Sequence, residues 1–238
     1  MQDETNSNSR PEKPDIDSLL ADLFGLNIRG AKTLYDLFRR PKAVFESARV
    51  NDWRNRHTPT VRLVFSILTV FSLLSFFWAG EDGVLYQSLA SALGDVPDRA
   101  FVAQFLPKLF ASFVFIYPFI YMLTHSLIGS TVFVWGKDTS WVTRLRLYFG
   151  VASVGIAIAV LSNLVMPFVG TAGFMSITIG SAVLSFIAYA VTYARGMAVT
   201  GPQGRRTLRA VSLAIIITLA DLIAALAAGS AAGFWAQL

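Results

Sequence analysis

The sequence predicts an all-α, polytopic membrane helix bundle: five transmembrane helices behind a cytoplasmic amphipathic N-terminal arm. Three observations predict it. Five apolar stretches follow residue 60, each close to the roughly 20 residues that cross roughly 30 Å of hydrocarbon. Charged residues make up only 15% of the chain, against about 25% in a soluble domain. Their distribution is uneven, because residues 1–59 hold 10 of the 20 Lys+Arg and 9 of the 15 Asp+Glu. The chain is a polar arm followed by an apolar body.

The opening MQDETNSNSRPEKPD is polar and acidic. Residues 1–15 are expected to be disordered, because they offer too little apolar surface to offset the entropy of ordering. No apolar signal-peptide core occurs there, so the first span is expected to act as the insertion signal. Residues 16–59 form the arm. Asp17 or Ser18 can cap a helix carrying Leu19, Leu20, Leu23 and Phe24 on one face. A second short helix places Ala31, Leu34, Leu37 and Phe38 together, and Pro41 opens a third. These pieces are too short to span. Beside Arg39, Arg40 and Lys42, their apolar faces suit either the bilayer interface or the end of the bundle.

The five spans are read at 61–79, 109–135, 147–168, 173–194 and 210–235 within a transmembrane domain at 60–238. Arg62 sits at the inner edge of the first, placed to snorkel to headgroups. Pro118 lies inside the second and withholds a donor from the carbonyl of Val114, which predicts a kink. The uncharged join VGTAG makes spans three and four an antiparallel hairpin. Small residues on spans three, four and five predict their close packing, with the Phe- and Leu-rich spans one and two more exposed to lipid.

Orientation follows from Lys and Arg in the loops. The loop after span two holds Lys137, Arg144 and Arg146, and the loop after span four holds Arg195, Arg205, Arg206 and Arg209. The join after span three and the C-terminus hold none. The N-terminus is therefore expected inside and the C-terminus outside, in a cell inner membrane. The same bases explain the net charge of +5 as contacts to anionic headgroups rather than to nucleic acid.

Chemistry-bearing residues are few. With no cysteine and two histidines, no thiolate, disulfide or metal cluster is expected. No catalytic group and no cofactor is expected either, because no triad is arguable and GPQGRR lacks the Gly-Lys-Ser/Thr ending of a phosphate loop. Two ionisable groups lie deep in spans, His125 and Asp221. Counted from the inner edges at 1.5 Å per residue, both sit on the order of 15 Å deep. Such groups are costly in lipid and mark function or helix-to-helix glue. Asn163, near the outer end of span three, reads as buried polar glue.

Two stretches, LFRRPKAVFES and HSLIGSTVFVWGKDTSWVTRLRLYFGVASV, resemble the YIP superfamily of five-span membrane proteins. The resemblance extends loosely over residues 35–235. RRPKAVFESARVNDWRNRHTPTVRLVF is also similar to a segment of uncharacterised bacterial membrane proteins. The resemblance implies a non-enzymatic membrane protein. One reading is a scaffold or interaction protein whose arm at residues 16–50 binds a protein partner or the bilayer surface. The alternative is a small ion- or proton-coupled transporter or channel using His125 and Asp221, with room for homo-oligomers. A water-filled cavity reaching Asp221 favours the alternative, and a dry, packed midplane with a well-formed interfacial arm favours the scaffold.

Overall fold

The computed structural model describes residues 28–53, 56–78, 83–92, 99–136, 139–197 and 203–237. The expected disordered tail at 1–15 and the helix expected around Leu19–Phe24 lie outside them. All regular structure among the described residues is helical. We number it α1 (Ile28–Arg39), α2 (Pro41–Val50), α3 (Thr60–Trp78), α4 (Val84–Ala92), α5 (Arg99–Thr131), α6 (Trp141–Val165), α7 (Gly170–Gly196) and α8 (Gln203–Ala236). A 3-10 turn at Met166–Phe168 joins α6 to α7.

Five of these helices are long and apolar enough to cross a membrane: α3, α5, α6, α7 and α8. Hydrocarbon offers no partner to backbone N–H and C=O groups, so a spanning segment must satisfy them internally, and a helix does so. The helices outrun the predicted spans. α6 begins at Trp141, where the Ser140 hydroxyl accepts the Thr143 amide at 3.3 Å. α5 begins at Arg99 and stops at Thr131, so Pro107 joins Pro118 inside one continuous helix. Residues 132–136, expected to end span two, leave the helix. There the Trp135 ring packs into the core against Phe45 and Tyr193, at 6.2 and 5.1 Å between centroids.

The expected division into a core of spans three to five and outlying spans one and two needs correction. α5 packs most extensively on α8, and α3 on α6. α6 is the central helix, with 67% of its span buried, whereas 6% of the α7 span is buried. Side-chain shape explains the difference. On α8, Ala214, Ala220, Ala224, Ala228 and Ala232 are fully buried, and these small residues let α5 approach closely. α5 meets them with its tyrosine face and leaves Phe115 and Phe119 exposed. α7 presents Met175, Ile179, Val183, Leu184 and Ile187 outward, a lipid-facing aliphatic side.

The arm docks on one end of the bundle. The buried stripe of α1 is Gly30, Thr33, Asp36 and Leu37, one notch round from the expected Ala31, Leu34, Leu37 and Phe38. Phe38 and Tyr35 face outward. Pro41 starts α2, as expected, and α2 buries Val44, Phe45 and Ala48 in the same core as α6 and α7. The Phe45 ring lies where a Cβ on Gly196 would stand, so only glycine lets α2 seat against the end of α7.

A methyl group at position 196 would strike that ring. Gly196→Ala is expected to destabilise the docked arm by about 1–3 kcal/mol. Limited proteolysis of the purified protein checks this, with faster cleavage within 28–56 and little change within the spans.

Candidate functional site

The site grows from a repeat on α5. Phe113, Tyr117, Tyr121 and His125 recur every four residues and so share one face. Their rings form a ladder, with successive centroids 5.2, 5.8 and 3.8 Å apart. Pro118 is buried beside it. Phe71 of α3 closes on Tyr117 at 5.8 Å. The ladder ends at His125, which has no exposed surface.

His125 and Asp221, matched in depth by residue counting, meet in the structure. His125 Nε2 lies 3.3 Å from Asp221 Oδ1, an ion-pair separation without the alignment of a hydrogen bond. His125 Nδ1 lies 3.0 Å from the Tyr148 hydroxyl of α6. The Tyr189 hydroxyl of α7 donates to Asp221 Oδ2 at 2.9 Å. Four helices thus contribute one polar group each: α5, α6, α7 and α8. Gly155 of α6 makes room for Tyr189, because a Cβ there would overlap its phenol.

Asp221 is not sealed. Its side chain is 31% exposed, and the exposed part faces a cavity of about 510 Å3 bordered by all five spans. Tyr117, Tyr121, Tyr189, Thr178, Thr218, Ser181 and Ser185 bring the other polar side chains to a lining otherwise apolar. Among the described residues, the hydroxyls of Tyr121 and Thr218 are buried without a hydrogen-bond partner. Asn163 of α6 donates to Ser75 Oγ of α3 at 2.9 Å.

A second polar cluster, missed in the sequence, fastens the arm. Asp36 on α1 accepts from Arg40 Nε at 2.7 Å and lies 3.2 Å from His57 Nε2. His57 Nδ1 lies 3.0 Å from Ser47 Oγ of α2. A neutral imidazole with its proton on Nε2 serves both partners, donating to Asp36 and accepting from Ser47. The Thr58 amide donates to Thr33 Oγ1 at 2.7 Å, and Thr60 Oγ1 donates to the Arg146 carbonyl at 2.6 Å. Arg195 of α7 donates to the Phe38 and Arg39 carbonyls at 3.1 and 2.5 Å, a cation on the unsatisfied end of α1. The one hint in the sequence was Asp36, an acid at a core-facing helical position.

The arginines expected at headgroups divide. Arg40 is held by Asp36, Arg39 by the Tyr35 hydroxyl, and Arg144 lies 4.1 Å over the Phe133 ring. Lys42 pairs with Glu46 at 3.7 Å. Arg62, Arg205 and Arg209 are exposed, and Arg146 and Arg206 are half-buried. Among the described residues no group of three or more His, Asp or Glu has the arrangement of a metal site.

Burial pushes the Asp36 carboxyl up, but the hydrogen bonds from Arg40 and His57 outweigh it and hold the group below its usual value. Burial also depresses His57, more than the neighbouring Asp36 raises it. Both folded-state values therefore lie below the unfolded ones, so the stability they bring is present at higher pH and lost as pH falls. The loss begins as pH drops through about 6.5 for His57 and about 3.9 for Asp36. Protection factors of backbone amides within 28–50, taken against the intrinsic exchange rate at each pH, are expected to be lower at pH 5 than at pH 7.5, and His57→Gln to reduce the difference. Hydrogen exchange read by mass spectrometry checks it, and equal protection at both pH values would contradict it.

No protein-family model, curated protein or solved structure matches this chain, so what it does must be argued from the geometry of this site.

Proposed function

We propose that this multi-pass membrane protein binds an organic cation in its central cavity, with Asp221 as counter-charge and His125, Tyr148 and Tyr189 as the network that positions it. The observation that supports this reading is the partly exposed Asp221 carboxylate on a cavity of about 510 Å3. Ligand sites commonly occupy some 300–1,000 Å3, with apolar walls and a few convergent polar groups. A carboxylate kept only as glue gains most by having both oxygens covered, since a bare intramembrane charge costs several kcal/mol. Here one oxygen takes the Tyr189 proton and the other faces His125 without an aligned bond, leaving Asp221 free to take a further positive group. The half-buried Tyr117 lines the cavity, and an aromatic ring attracts a cation by about 0.5–2 kcal/mol.

The reading favours the transporter-like alternative over a pure scaffold. It sets the protein in a cell inner membrane, arm inside and C-terminus outside, as the loop arginines imply.

The arm supports a second role. Ile28, Tyr35, Phe38 and Val50 are exposed beside Arg39 and Lys42, a face suited to anionic bilayer surface or to a partner of the YIP-like kind.

Calorimetric titration of tetraethylammonium into the protein in nanodiscs tests the main reading. Saturable binding is expected, and Asp221→Asn should weaken it at least tenfold while the thermal unfolding temperature stays within a few degrees. Binding that is absent in the wild type, or indifferent to Asp221→Asn, would overturn the reading.

A further inference from the structure

The central cavity has a neighbour. A second cavity of about 280 Å3 lies toward the end of the bundle remote from the arm. Its position follows from its lining: Ser75 near the end of α3, Phe110 early in α5, Met166 in the turn after α6 and Phe174 at the start of α7. Four residues line both cavities: Phe71, Ala159, Thr178 and Ser181. The two are therefore adjoining chambers of one crevice that runs from Asp221 toward the remote end.

The chambers differ in chemistry. The inner one holds the carboxylate, three phenols and the buried hydroxyl of Thr218. The outer one is walled mainly by Phe110, Phe113, Val114, Ile177 and Met166, with Ser162 among them, and shares Thr178 and Ser181 with the inner one. Its amide, Asn163, is already committed to Ser75. Toward the arm the inner chamber meets a stack with no such opening: Tyr121 against His125, His125 against Tyr148, then the buried Tyr193, Trp135 and Phe45. A ligand filling this space has one cationic end and one long apolar end, and the apolar end points away from the arm.

We infer that the crevice is a site for a single-chain cationic amphiphile, its quaternary or primary ammonium head seated between Asp221 and Tyr117, and its alkyl chain lying in the outer chamber. The inference rests on the proposed cation site and adds the tail and its direction. Charge complementarity selects the head: Asp221 is the single acid among residues 139–238. An anionic amphiphile would place like charge against it. Chain length is bounded, because the outer chamber is finite.

Alkyltrimethylammonium ions of increasing chain length, titrated into protein nanodiscs and corrected with empty nanodiscs, test this. Affinity referred to free aqueous ligand is expected to rise about fourfold per methylene, the equivalent of about 0.8 kcal/mol buried. It should then level off once the chain outgrows the outer chamber. Ser162→Phe and, separately, Ile177→Trp fill that chamber and should bring the plateau to shorter chains, with tetraethylammonium binding unchanged. Dodecyl sulfate should not compete. If tetraethylammonium binds through Asp221 but neither variant shortens the plateau, the tail lies in the bilayer and this inference fails while the cation site stands. If dodecyl sulfate competes as well as the ammonium, the charge-selected head fails. If no cation binds at all, the underlying reading fails with it.

Discussion

A charge in hydrocarbon must find its compensation within the protein, and the placing of Asp221 organises much of what surrounds it. Its carboxylate draws groups from α5, α6 and α7 to the middle of α8. To bring them there, α6 gives up a side chain at Gly155 so that Tyr189 can reach. α8 gives up bulk along a whole face so that α5 can bring His125 close. The packing of alanines on α8 and the polar network are one arrangement: the small residues set the separation at which the polar atoms meet. Association of membrane helices draws little from the hydrophobic effect, so this fit carries a larger share of specificity than it would in water.

The arm obeys the same rule in a different medium. Asp36 and His57 are as buried as core leucines, yet neither stands alone. Arg40, Ser47 and the neutral imidazole complete a set in which each acceptor has a donor. The apolar part of the joint is Phe45, seated over Gly196 and against Trp135. Polar groups fix the register of the arm, while Phe45, with Leu37, Val44 and Ala48, joins it to the apolar core.

How much of this could be read from residues alone depends on the kind of signal. The five spans were legible because each is a long local run, and the pairing of depth between His125 and Asp221 because rise per residue is constant. The ladder at 113, 117, 121 and 125 was also written in the sequence, as Phe, Tyr, Tyr and His at helical spacing, but phenols read as ordinary span aromatics until Asp221 gives them a common target. Which helices lie at the centre was not legible. Small-residue stripes occur on α7 as well as α8, and only the packed bundle shows that Gly180 has nothing within 4 Å while Ala224 is covered. The Asp36–His57 joint bridges 21 residues through a bend, and no periodicity crosses a bend.

Helix α7 ties the two polar clusters together. Tyr189 touches the carboxylate in the cavity, and Arg195 grips the carbonyl end of α1. Six residues of one helix separate them, about 9 Å along a rod that does not stretch. α7 packs on α6, α8 and α2 and turns an aliphatic side outward, so it is a wall of the chamber held by protein on one side. A tilt that lifts one end must move the other, so whether the chamber is filled and how the arm is seated are mechanically one variable.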